Sequence, residues 1–215
     1  VLAASERNRT NLVRSGVCAM LANALAQYRW DKNLARSALI PLRIFSTELE
    51  ARCEIQEMGV SRTTAKVMLS HPSVASIQCD GCAILSNLAV EIEKSKVTAV
   101  DTLEIRAVIE AVMNHKAESV ISSACFALKN FIYNEANLRR ISRFKRITEI
   151  LEQLIQLETN TFMAEKILER VYISRAQDDS LELQVHDALR DRVAKQSDHP
   201  DVVNDVVATM TEYNI

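Results

Sequence analysis

The chain has 215 residues, of which 48% are hydrophobic and 25% charged, and its formal net charge is −2. This balance is typical of a folded globular protein and provides no general electrostatic attraction to nucleic acid or to a membrane surface. No apolar run approaches the roughly 20 residues that a transmembrane helix needs, so we expect no membrane insertion.

Only three glycines and three prolines occur in the chain, against roughly 15 and 10 in an average protein of this length. β-sheets need turn residues every few positions, so this scarcity predicts an all-α protein of long helices joined by short connections. The five cysteines are an odd number and mostly have apolar neighbours. They are typical of reduced thiols packed in a core, which favours a cytoplasmic or nuclear location.

One sequence pattern recurs at a spacing of 43 residues. In "SALIPLRIFST", "GCAILSNLAV" and "ACFALKNFIY", the residues Leu42, Leu85 and Leu128 align at this spacing. A fourth copy, "AEKILERVYIS", places Leu168 at the same position after 40 residues. Self-similarity with such a period is the signature of stacked structural repeats.

Each unit is predicted to contain a short helix, a turn, a second helix and a longer third helix. Gly16 and Gly59, each followed by valine, precede the second helices of the first two units. In the second unit the three helices are predicted at 48–58, 60–70 and 74–90. A largely apolar stripe at helical spacing supports the middle one, namely Val60, Thr64, Val67 and Met68. His71-Pro72 ends that helix, because proline lacks an amide donor and restricts the residue before it.

This unit, with glycine before its second helix and the pattern A-C-x-A-L-x-N-Φ (Φ apolar) on its third, resembles the armadillo repeat. The closest matches are "GCAILSNLA" at 81–89 and "ACFALKNF" at 124–131, and the resemblance covers about residues 8–175. It implies a right-handed α-solenoid, or superhelix, of about four three-helix units. Their expected ranges are about 1–30 (partial), 31–73, 74–117 and 118–175. A HEAT-type repeat is the near alternative, with the same solenoid physics.

The last part of the chain, residues 176–215, is expected to form an atypical C-terminal repeat or cap. "DHPDVVNDVVATM" is similar to "SHPSVASIQCDGC" near residue 71. We predict its two helices at 181–196 and 201–213, after an acidic link, "AQDDS", at 176–180. Terminal repeats need one more polar outer face, and "ALRDRVAKQSD" satisfies that need.

No pattern of catalytic or metal-binding residues is present. Cys79 and Cys82 form a C-x-x-C, but a zinc site needs about four ligands, and no second pair or suitably spaced histidine accompanies them. Cys82 aligns with Cys125, where the armadillo pattern has a small buried residue, so core packing is the preferred interpretation. Nucleotide-binding and hydrolase motifs are also missing. We therefore expect no enzyme activity, cofactor, metal or small-molecule substrate.

Asn87 and Asn130 are the main candidates for binding. The third helices of a solenoid lie side by side, and a side-chain amide there can pair with the N–H and C=O groups of an extended peptide. The resemblance implies this use of asparagine, often with an aromatic residue one turn earlier. Phe126 has that position before Asn130, whereas Ala83 precedes Asn87. The alternative is that these amides bond groups within the solenoid itself.

Helical spacing places further residues on the same face. They are Ser37, Ile40 and Ile44; Asp80 and Ala83; Ser123; Met163, Lys166 and Arg170; and, adjacent to them, Arg43, Ser86 and Lys129. Ile44 and Arg170 stand where the armadillo pattern often has asparagine. Asp80 is the sole acid of this face, so an acidic or phosphorylated partner segment is favoured over a basic targeting signal.

Two other segments have candidate surface residues. "LRRISRFKR" at 138–146 is predicted to be the first helix of the fourth unit. Its possible basic or phosphorylation site comprises Arg139, Arg140, Ser142 and Arg143, and the alternative is a solvated helix face. Without interleaved aromatic residues, the segment does not favour nucleic acid. Trp30, close to Tyr28 at the end of a second helix, is expected to cover the turn between units rather than to anchor an interface.

These observations predict a non-catalytic protein–protein interaction scaffold or adaptor. Its concave groove, lined by third helices, would bind an extended segment of a partner protein. The alternative is a structural subunit, or a fragment of a larger solenoid, that contacts neighbouring subunits of a multiprotein assembly.

Overall fold

The computed structural model describes residues 6–89, 100–157 and 160–195, with side chains through residue 180. Within these ranges the protein is all-α, with eleven helices and no strand. The helices are α1 (Glu6–Arg14), α2 (Val17–Gln27), α3 (Lys32–Phe45), α4 (Leu49–Glu57), α5 (Val60–Ser70), α6 (Ala75–Ala89), α7 (Thr102–Asn114), α8 (Glu118–Phe131), α9 (Glu135–Ser142), α10 (Ile147–Gln156) and α11 (Thr161–Lys195).

The helices of the second predicted unit are confirmed. The expected segments 48–58, 60–70 and 74–90 correspond to α4, α5 and α6. Gly16 and Gly59 lie before α2 and α5 with φ of 79° and 66°, in the left-handed region. Glycine adopts this conformation without the steric penalty of a Cβ atom, so each allows the chain to turn directly into the next helix.

The predicted link at 176–180 is wrong, because α11 continues through it. Neither glycine nor proline occurs between residues 161 and 195, and Asp178 and Asp179 lower helix propensity only slightly. The chain divides into two compact units, Val1–Val171 and Tyr172–Ile215. The second unit is described only as far as Lys195, so the helix predicted at 201–213 lies outside the described residues.

α6 has the most extensive packing in the first unit, where it contacts α3, α5, α7 and α8. Nine of its 15 residues are buried, among them Ile77, Cys82 and Leu85. This burial accounts for a helix that is apolar on most of its circumference. α5 packs against α7, and α2 packs against α3.

Hydrogen bonds between distant helices join residues separated by about one repeat length. His71 Nε2 lies 2.8 Å from the Arg29 carbonyl oxygen, 42 residues away. His115 Nε2 lies 2.7 Å from the Pro72 carbonyl oxygen, 43 residues away. A carbonyl oxygen can only accept, so the ring nitrogen donates in both cases. Two histidines 44 positions apart thus make the same contact with the turn that precedes them by one period.

Polar side chains close several helix ends. Asp31 accepts hydrogen bonds from the amides of Asn33 and Leu34 at the start of α3. At the end of α5, the buried Gln78 side chain donates to the carbonyl oxygens of Met68 and His71, at 2.9 Å each. The Asp31 bonds satisfy backbone amides that have no partner within their own helix. The Gln78 bonds add a second donor to carbonyl oxygens that also accept from the backbone amides of His71 and Val74.

Gly81 lies at the contact of α6 with α5. A Cβ atom at this position would lie 2.5 Å from Met68 Sδ and 2.6 Å from Met68 Cγ. Met68 is itself buried, so it has little free space to move into.

Gly81→Ala is therefore expected to reduce the free energy of unfolding by about 1–3 kcal/mol through overpacking. In a Met68→Ala background the same change should instead increase it by about 0.5–1 kcal/mol, because alanine is the better helix former. Urea denaturation of the four proteins measures both effects. If Gly81→Ala changed the free energy of unfolding in the same direction in both backgrounds, the contact between Gly81 and Met68 would be contradicted.

Candidate functional site

Asn87 on α6 and Asn130 on α8 make matching contacts with serines at the end of α3 and on α6, respectively. Asn87 Nδ2 donates to Ser46 Oγ at the end of α3, and Asn130 Nδ2 donates to Ser86 Oγ on α6, at 2.9 Å in both cases. The Ser46 hydroxyl itself donates to the Arg43 carbonyl oxygen at 2.8 Å. Its proton is thus already used, and the Asn87 contact must come from the amide nitrogen.

Both asparagines are half-buried, and each retains hydrogen-bonding capacity. A primary amide has two N–H donors and one carbonyl acceptor. One donor is bound to serine, and within the described residues no further bond is seen for either amide. The predicted alternative, bonding within the protein, therefore accounts for only part of each side chain. One N–H and one C=O remain on each amide.

Arg43 and Asp80 form an ion pair between α3 and α6. Arg43 Nε lies 2.8 Å from Asp80 Oδ1, and the Asp80 side chain is only 14% exposed. Burial raises the pKa of Asp80, and the charges of Arg43 and Arg36 oppose this shift. Asp80 is thus a paired carboxylate at the α3–α6 contact.

Lys166 and Arg170, two further basic residues of the predicted face, each lie beside a carboxylate. Lys166 lies 3.4 Å from Glu169. Arg170 lies 2.7 Å from Glu135 Oε1 and also donates to the Ile132 carbonyl oxygen, which joins α11 to the segment after α8. These carboxylates compensate the positive charge that the sequence suggested.

Phe126 and Lys129 lie together on α8. The Phe126 side chain is 48% exposed, and the Lys129 ammonium lies 5.9 Å from the centroid of its ring. On the same helix, Ser123 Oγ lies 3.3 Å from Cys79 Sγ of α6. The structure thus brings together α3, α6 and α8 with Arg43, Asp80, Asn87, Ser123, Phe126, Lys129 and Asn130. We call this set the amide face.

The cysteines of the C-x-x-C occupy packing positions. Cys82 is fully buried, and burial raises its pKa far above the usual range; the pKa of Cys125 is raised to about 11 for the same reason. Such thiols remain protonated at neutral pH and are poor nucleophiles and ligands. The described residues contain no group of three or more His, Cys, Asp or Glu side chains placed to hold a metal ion.

The predicted phosphorylation site is not accessible. Ser142, the last residue of α9, is 3% exposed, and its hydroxyl donates to the Arg139 carbonyl oxygen at 2.9 Å. Helical spacing turns Ser142 inward with Ile141 and Leu138, while Arg139 and Arg143 face solvent. Arg140 donates to the Val100 carbonyl oxygen at 2.8 Å. The basic segment is therefore partly structural.

The expectation that Trp30 covers a turn is also wrong. Its side chain is 67% exposed, with the Arg29 guanidinium 4.8 Å from the ring centroid. Tyr28 and Leu34 nearby in the chain are exposed as well. The turn between α2 and α3 and the first turn of α3 place these apolar side chains at the surface.

Ser46 was not predicted to lie on this face, and Ser86 was predicted there only as a neighbouring residue. These two serines orient the two asparagines. They are 40 residues apart rather than 43, so repeat alignment did not pair them. No protein-family model and no curated protein sequence matches the chain. In the described residues, no helix has the combination of length and apolarity that crossing a bilayer requires.

Arg43→Met should raise the pKa of Asp80 further, because burial would then act without its main opposing charge. A carboxylate with a raised pKa destabilises the folded state as pH increases through that pKa. The stability of the variant should therefore fall more steeply with pH than that of the wild type. Carboxyl ¹³C NMR titration measures the pKa, and Arg36→Met should produce a smaller shift.

A basophilic kinase should not modify Ser142 in the folded protein, because the hydroxyl is buried within α9. A synthetic peptide of residues 136–146 should be phosphorylated at a normal rate, since it lacks this packing. Mass spectrometry of both substrates after equal incubation tests the difference. Rapid modification of the folded chain at Ser142 would contradict this placement.

Proposed function

We propose that the protein is a non-catalytic interaction scaffold with an armadillo-like arrangement of repeats. Its amide face would hold an extended segment of a partner protein. The observation that carries this proposal is the equivalence of Asn87 and Asn130, 43 residues apart. Each is fixed by one N–H to a serine, with one donor and one acceptor remaining.

The spacing of the long-range hydrogen bonds supports the repeat arrangement. Ser61 and Glu104 are 43 residues apart, His71 and Arg29 are 42 apart, and Asn87 and Ser46 are 41 apart. In a solenoid each unit contacts mainly its neighbours, so contacts concentrate near one repeat length. The contacts of α6 with both α3 and α8 follow the same order.

The geometry of stacked helices suits an extended peptide. Neighbouring helix axes are about 8–10 Å apart, and an extended chain advances about 3.3 Å per residue. Successive asparagines would then meet the peptide backbone every two or three residues. Binding through backbone groups holds the peptide without requiring a particular side chain at those positions.

Side chains beside the amides would provide selectivity. The exposed Phe126 ring offers an apolar and cation-attracting surface, and Lys129 adds a positive charge beside it. Arg43, Lys166 and Arg170 each have an acidic neighbour. A preference for an acidic or phosphorylated segment would therefore depend mainly on Lys129, and an apolar residue of the partner would contact Phe126.

The double variant Asn87→Ala/Asn130→Ala should lose partner binding by about tenfold or more, since several backbone hydrogen bonds of about 1 kcal/mol each are removed. Quantitative affinity capture identifies candidate partners, and titration with peptides from them measures the dissociation constants. Asn11→Ala/Asn114→Ala is the matched control, because both residues are exposed and lie on α1 and α7, outside the amide face. Equal affinity of both double variants would contradict the proposal.

The second candidate function is that of a structural subunit in an assembly. The exposed Trp30, Tyr28 and Leu34 favour it, because exposed aromatic and aliphatic side chains often anchor protein interfaces. The same capture experiment separates the two functions. A partner lost on Trp30→Ser/Leu34→Ser but retained by the asparagine double variant binds at the α2–α3 turn.

A further inference from the structure

A cavity of about 300 Å³ lies between the end of α6 and the start of α7, apart from the amide face. Its lining combines apolar residues, namely Val100 and the last turn of α6, with polar ones, namely Gln56, Ser61, Asp101 and Glu104. Small-molecule and side-chain binding sites commonly combine an apolar wall with a few convergent polar groups in this way.

Glu104 is the unusual member of this lining. Its side chain is 3% exposed, although a carboxylate is normally found at the surface. Oε1 accepts a hydrogen bond from Ser61 Oγ at 3.3 Å. Oε2 is buried, and within the described residues it has no hydrogen-bond partner. A buried oxygen of this kind loses its hydration without compensation unless a donor reaches it.

The walls of the cavity are held in place by other contacts. The Gln56 side-chain amide donates to the Leu88 carbonyl oxygen. The Val100 amide donates to Asn137 Oδ1, and its carbonyl oxygen accepts from Arg140, at 2.8 Å each. A site with fixed walls binds a ligand at a smaller entropic cost than one that must first become ordered.

The lining is rich in acceptors and poor in donors. The Ser61 hydroxyl is already directed at Glu104, and one N–H of the Gln56 amide is bound to Leu88, which leaves that amide one N–H and one C=O. Arg62 lies 3.1 Å from Asp101 Oδ2 in an exposed pair. An anion would be repelled by Glu104 and Asp101, and an uncharged apolar ligand would leave Glu104 Oε2 without a donor.

We propose that this cavity binds a primary ammonium or guanidinium group on a short apolar stem, with Glu104 as its counter-ion. The charged group donates to Glu104 Oε2, and the stem lies against Leu85 and Leu88 at the end of α6. Charge-assisted hydrogen bonds of this type are stronger than neutral ones. A lysine or arginine side chain of a partner and a free alkylamine share this chemistry.

Several groups set the protonation of Glu104 in the free protein. Burial raises its pKa, and the nearby Asp101 carboxylate adds to the increase. The backbone amide of Glu104 itself, Ser61 and Arg62 act in the opposite direction. A bound cation favours the ionised carboxylate, so it must lower this pKa, and by linkage its affinity must increase as pH rises through that pKa.

The test uses the full chain as the binding protein. The two probes are n-butylammonium and N-acetyl-lysine N′-methylamide. Carboxyl ¹³C NMR should show the pKa of Glu104 falling by about one unit or more at saturation. Glu104→Gln, which preserves shape but removes charge, should weaken binding about tenfold or more in calorimetry. Glu110→Gln on the same helix is the matched control and should bind as the wild type does. Butan-1-ol, which has the stem without the charge, should bind far more weakly than n-butylammonium.

Tighter binding of the blocked lysine than of n-butylammonium would identify a partner side chain as the ligand, and the reverse order would identify a free amine. An unchanged Glu104 pKa with both probes would overturn the proposal, since the carboxyl would then simply be protonated in the folded state. Lys94→Met/Lys96→Met examines a donor from the chain itself. A raised Glu104 pKa in that variant without ligand would also overturn the external-ligand proposal.

Discussion

The packing of α6 against α3, α5, α7 and α8 is the constraint on which the rest of the first unit depends. Because most of its surface is covered, each polar group on α6 must find a partner inside the protein or at the edge of a helix contact. Gln78 binds the last carbonyls of α5, Asn87 binds Ser46, and Ser86 accepts from Asn130. These bonds set the register in which the helices lie side by side.

The same register accounts for the amide face. An asparagine that was free to rotate would lose entropy when it bound a peptide, and the bond to serine has already restricted it. The ion pair of Arg43 with Asp80 likewise joins α3 to α6 beside Asn87. The contacts that hold neighbouring helices together therefore also orient the groups available to a ligand. Rigid placement of this kind is what a recognition surface requires.

Buried polar groups fall into two classes in this protein. Gln78 is satisfied by its neighbours and contributes to helix packing. Among the residues that the structure describes, one buried oxygen of Glu104 has no partner, and it lies beside a cavity. A completed network stabilises a fold, whereas an incomplete one beside open space provides a binding group.

The helical elements and their spacing could be predicted because they depend on local patterns: apolar periodicity, the scarcity of turn residues, and Gly16 and Gly59 before helices. Two local interpretations were wrong, and one candidate modification site is buried, for related reasons. The segment 176–180 looked like a link because it is acidic, yet nothing in it breaks a helix. Ser142 and Trp30 have residue types common at surface sites and interior sites, so only packing could decide their exposure.

The sequence by itself determined the all-α class, the helices α4, α5 and α6, and the 43-residue spacing of Asn87 and Asn130. Each of these follows from residues near one another in the chain or from repetition. Tertiary structure alone decided that Ser46 and Ser86 anchor those amides, that Asp80 pairs with Arg43, and that Glu104 borders a cavity. The reason is geometric. A hydrogen bond requires atoms to meet within about 3 Å, and the relative shift of two helices determines which side chains meet.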